Sequence, residues 1–87
     1  MEFKNKFKWL GYEEVKETKT YIEAFKYPVS ERKYMYDRIK INKKTLEVNK
    51  DSRSGQGNRG HRNLTYDEVM LVAMILKHYK EVQSNES

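Results

Sequence analysis

Leu64 to Tyr79 is the stretch that limits every other choice in this chain, because it reads as one helix with its start signal written into the residues. Thr65 is a natural N-cap, and Glu68 three residues on completes a capping box, each side chain accepting from the other residue's backbone N–H. Leu64 and Val69 fit the hydrophobic staple around that cap. Asp67 and Glu68 lie at the positive end of the helix dipole, with Lys77 and Lys80 toward the other end. From Val69 to Leu76 all eight residues are apolar. Val69, Val72, Ala73 and Leu76 follow the i, i+3, i+4, i+7 rule, with Tyr79 a turn further. Met70, Leu71, Met74, Ile75 and Val82 form a second stripe beside the first. A helix apolar around most of its circumference needs cover on more than one side. Its eight apolar residues fall far short of the roughly 20 that span a bilayer, so no membrane partner is expected.

The preceding residues can supply that cover. Phe3, Phe7 and Leu10 fall at i, i+4, i+7, the pattern of a short amphipathic helix that Gly11 stops and that must dock to persist. Tyr12 to Glu17 is a weakly patterned strand. In Thr20 to Tyr27, Tyr21, Phe25 and Tyr27 alternate against Ile22, Ala24 and Lys26, and Pro28 ends the strand. After a turn over Val29 to Lys33, Met35, Ile39 and Ile41 point one way, and Tyr34, Tyr36, Arg38 and Lys40 the other. Asn42 to Lys44 makes a hairpin turn into a strand holding Leu46 and Val48. The expected fold is α+β: a short N-terminal helix, a three- to four-stranded antiparallel sheet, and one C-terminal helix packed on one sheet face. Two covers remain open for that helix. In one, the sheet takes the first stripe and the N-terminal segment the second. In the other, Met70 and Met74 stay exposed and bind a protein partner or a second copy, making a homodimer.

A chain of 87 residues is expected to form a single domain over 1–82, with 83–87 a fraying tail. Its 13% aromatic content argues against general disorder. Without cysteine there are no disulfides, thiolate metal sites or thiol nucleophiles. The N-terminus has no apolar signal-peptide core, so the expected compartment is the cytoplasm.

The charge is uneven. Residues 1–63 hold sixteen Lys and Arg against nine Asp and Glu, a surplus of seven, while residues 64–87 hold two against four. Residues 50–63 contain no hydrophobic side chain and read as a long basic Gly/Arg loop. Lys50, Arg53, Arg59 and Arg62 against Asp51 give it three net positive charges, with His61 able to add to them. Arginine forks suit phosphate, and such segments order on RNA or single-stranded DNA. Lys43, Lys44 and Arg38 extend the cationic set, and Tyr34 and Tyr36 are candidates to stack on bases. Cross-strand tyrosines also stabilise sheets without any ligand. Gly55, Gly57 and Gly60 match the letters of a dinucleotide fingerprint but lack its strand–turn–helix setting, so no nucleotide or other small-molecule cofactor is expected. His61 and His78 have no ligand spacing with a carboxylate, so neither a metal site nor a catalytic set is expected. The one enzymatic alternative is a small metal-independent ribonuclease with His61 as base and Arg59 or Arg62 against the phosphate.

The order of Leu10-Gly11-Tyr12, a sheet carrying Tyr21 to Phe25 and Ile39 to Ile41, and a helix opened by Leu64 to Val69 resembles a group of small prophage-borne proteins of Gram-positive bacteria. A Leu-Gly-Tyr opening, a small sheet and a Thr-initiated helix with an acidic start recur in that group. This chain departs from it in its Gly/Arg segment and in lacking an aromatic ending to the last helix. The resemblance implies a phage or mobile-element origin and a non-enzymatic binder of host machinery, a class that includes anti-CRISPR and other counter-defence inhibitors. It carries over no functional residue. The combined expectation is an accessory protein that occupies nucleic acid or a host nucleoprotein complex.

Overall fold

The computed structural model describes residues 3–28, 31, 34–54 and 59–86, the side chains of Arg59 and Glu86 excepted. In chain order these form α1 (Lys4–Trp9), β1 (Glu14–Glu17), β2 (Tyr21–Lys26), β3 (Tyr36–Asn42), β4 (Val48–Arg53), β5 (Arg59–His61) and α2 (Tyr66–Glu86). The five strands form an antiparallel meander in sequence order. The architecture is α+β as the sequence predicts, with a larger sheet.

The added strand comes from the segment read as a loop. Residues 50–53 complete β4 against β3, and residues 59–61 form β5 against β4. A strand needs only a partner for its backbone N–H and C=O groups, and β3 and β4 provide ladders that polar side chains do not disturb. Arg62 prolongs the pairing by donating its N–H to the Lys50 carbonyl at 2.9 Å. Residues 55–58 of that expected loop lie outside the described residues, as do most of Val29 to Lys33.

The alternation of β2 and β3 holds as read. Ile22, Ala24, Ile39 and Ile41 are buried on one sheet face, beneath Leu71, Val72 and Ile75 of α2 and Phe3 and Phe7 of α1. Each Ile, Leu, Val or Phe side chain among them contributes roughly 1.5–3 kcal/mol on burial. Both helices therefore share one face of the sheet.

Gly11 ends α1 through a Schellman arrangement. Its φ is +93°, its N–H bonds the Lys8 carbonyl, and the Tyr12 N–H bonds the Phe7 carbonyl, both at 3.0 Å. The same reversal sets the Tyr12 ring edge-on to Phe7, 5.8 Å between centroids. At the other end of the chain, the expected fraying from residue 83 is replaced by helix up to Glu86. The Gln83 amide donates to the carbonyls of Lys43 and Lys44 at 2.7 and 2.8 Å, which ties the last turns of α2 to the β3–β4 turn.

The inward face of α2 also differs from the expected stripe. Glu68, Leu71, Val72 and Ile75 are buried, whereas Val69, Met70, Ala73 and Met74 are exposed. Leu64 packs on the core while Val69 faces out, so the expected staple gives way to a core contact.

Candidate functional site

The capping box forms as the sequence specifies: the Glu68 N–H donates to Thr65 Oγ1 at 3.3 Å and the Thr65 N–H to Glu68 Oε1 at 3.0 Å. Its glutamate does more than cap. Glu68 is 2% exposed, and its oxygens also accept from Lys50 Nζ at 2.7 Å and from the Tyr12 hydroxyl at 2.6 Å. Burial pushes the Glu68 carboxyl upward, but the hydrogen bonds from Lys50, Tyr12 and Thr65 outweigh it and hold the group below the ordinary carboxylate range. Burial and the bond to Glu68 push the Tyr12 phenol upward. Lys50, expected in the phosphate-contacting set, is thus turned inward, because its place in β4 opposite Ile39 belongs to the helix-covered face.

The opposite face is covered by neither helix. It carries Tyr21, Glu23 and Phe25 of β2, Tyr36, Arg38 and Lys40 of β3, and Asp51 and Arg53 of β4. At its centre Arg38 forms a fork on Asp51, with Nε and NH2 at 3.1 and 2.8 Å from the two carboxylate oxygens, and NH1 lies 3.4 Å from Glu23. This guanidinium is already matched by the chain's own carboxylates. Lys40 Nζ stands over the Tyr21 ring at 4.1 Å, and Tyr36 meets Phe25 edge-on at 5.4 Å.

The remaining expected cations divide between the two ends of the sheet. At the β3–β4 turn, Lys43 Nζ is held by Glu17 and, at 2.7 Å, by the Thr18 carbonyl, while Lys44 is exposed. At the far end, the register sets Arg59 opposite Arg53 and Tyr36 on the other side of Arg53. Arg53, His61 and Arg62 are exposed there, and Arg62 Nε donates to Ser52 Oγ at 2.8 Å. Tyr34, at 53% exposure, precedes β3 at the same end. The register therefore sets the positions of Arg53, Arg59, His61 and Tyr36 on the uncovered face, with Tyr34 at the same end, while Arg62 turns toward Ser52 on the other face, Lys43 and Lys44 lie apart, and Arg38 and Lys50 are internally bonded.

His61 is the register partner of Asp51, both of whose carboxylate oxygens accept from Arg38. Among the described residues no three His, Asp or Glu side chains come together as metal ligands, and no helix is long and apolar enough to cross a membrane.

One further exposed surface lies between the two helices. Trp9 is 90% exposed at the rim of a groove between the two helices, lined also by Asn5, Lys6, Leu10, Asp67, Leu71 and Met74. Its place off the Phe3/Phe7/Leu10 stripe was the signal for that exposure. No known family model matches the chain, and neither does any curated protein or solved structure.

Proposed function

We propose that this is a small phage-type accessory protein that binds RNA or single-stranded DNA, bare or within a host nucleoprotein, and acts by occupancy rather than catalysis. The observation that carries this reading is the pairing of Arg53 with Arg59 across β4 and β5. Two arginine positions side by side in the register, at the end of the uncovered face, offer a place for a phosphate to bind. Arginine is suited to that role because its planar fork grips phosphate oxygens. Tyr36 borders Arg53 with an aromatic ring that a base can stack upon. The surplus of seven positive charges over residues 1–63 adds a long-range attraction for polyanions. A counter-defence inhibitor of the anti-CRISPR kind would work this way, by occupying the nucleic acid of a host nucleoprotein without chemistry of its own.

Fluorescence anisotropy with mixed-sequence RNA and single-stranded DNA tests the reading. Affinity should fall with salt, each neutralised phosphate adding about −0.7 to the slope of log K on log salt. Arg53→Glu should weaken binding more than Lys44→Glu at the opposite end. Absence of binding to both probes at low salt would rule the reading out.

A further inference from the structure

The outward side of α2 shows Tyr66, Val69, Met70 and Met74 to solvent at 77%, 47%, 53% and 40% exposure, with Ala73 also exposed between them. A stripe of this kind on an ordered, 21-residue helix is the surface that helix–helix packing uses. Trp9 and Leu10 of α1 continue it across the groove beside Leu71 and Met74. We propose that this face closes against a second copy of the chain, the two α2 helices running antiparallel about a two-fold axis midway between Met70 and Met74.

The choice of occupant comes from the charges that frame the stripe. Asp67, Met70, Met74 and Lys77 recur at i, i+3, i+7 and i+10, so all four lie along one side of the helix. At 1.5 Å per residue, Asp67 and Lys77 sit about 7.5 Å on either side of the level of Val72. A two-fold axis at that level brings Asp67 of each copy to Lys77 of the other and Met70 of each to Met74 of the other. A parallel pairing would instead set Asp67 against Asp67 and Lys77 against Lys77. The face is thus complementary to itself in one orientation and repels itself in the other, the condition for an isologous dimer. Neither Asp67 nor Lys77 has an ion-pair partner among the described residues. The inference is independent of the nucleic-acid reading, since the helices cover the sheet face opposite to Arg53.

Sedimentation equilibrium of the nucleic-acid-free full chain decides the matter. The wild-type chain should populate a dimer that Met74→Glu converts to monomer. Asp67→Lys and Lys77→Asp should each raise the dimer dissociation constant by roughly tenfold or more, and the double exchange Asp67→Lys/Lys77→Asp should recover most of that loss. Far-UV circular dichroism checks that each variant folds, with Met70→Glu taking the place of Met74→Glu if the latter does not. A wild-type chain that stays monomeric at all concentrations overturns the proposal, whatever other protein the face binds. So does a dimer indifferent to both glutamate substitutions, or a double exchange as weak as its single components.

Discussion

Glu68 holds three donors from three parts of the chain: the Tyr12 hydroxyl behind α1, the Lys50 ammonium on β4 and the Thr65 N–H at its own helix start. Replacing it with Gln removes the negative charge and leaves Lys50, whose side chain is 11% exposed, without its counterion. Breaking a buried pair from one side costs about 3–5 kcal/mol, so Glu68→Gln should lower the denaturant midpoint accordingly. The pH dependence has a definite sign. Because the folded chain holds this carboxyl below its ordinary value, its contribution is complete above the unfolded carboxylate pKa and is lost as pH falls through the folded one. Thermal melts of the wild type should therefore lose stability on acidification, and Glu68→Leu should show a flatter acid limb from a lower plateau.

At the scale of elements, turns carry the clearest tests. Gly11 sits at φ +93° with the Lys26 side chain 3.2 Å from where a Cβ would stand, so Gly11→Ala should destabilise by about 1–2 kcal/mol in chemical denaturation. Thr65→Ala removes the N-cap and should cost about 1 kcal/mol in the same measurement. Both positions were legible in the sequence because a helix start and a helix stop depend on residues within one turn of each other. The alternation of β2 and β3 was legible for the same local reason. The facing of α2 was not, because eight consecutive apolar residues contain no polar residue to mark the outward side. The stripe that points inward passes through Glu68, a charged residue that a hydrophobicity pattern assigns to solvent. Strand β5 was hidden differently: Arg59, Gly60 and His61 carry no strand-forming side chains, and their pairing rests on the backbone ladder of β4. The candidate site was legible in part. Arg53 and Arg59 fall opposite each other in the register, but Arg62 turns toward Ser52 on the other face, and the internal bonds of Arg38, Lys43 and Lys50 depend on carboxylates between 13 and 26 residues away.

For the whole molecule, the sheet separates two surfaces of different chemistry, one cationic and aromatic, the other greasy and helical. If self-association occurs through α2, the melting temperature should climb with protein concentration, because only the folded chain dimerises. Met74→Glu should abolish that climb while leaving RNA affinity unchanged in anisotropy titrations. Arg53→Glu should do the reverse. The convergence of Tyr12, Lys50 and Glu68 at one point also bears on inheritance. A descendant that exchanges the acid for a neutral residue strands the ammonium, so changes at these three sites should arrive as linked sets in diverging lineages.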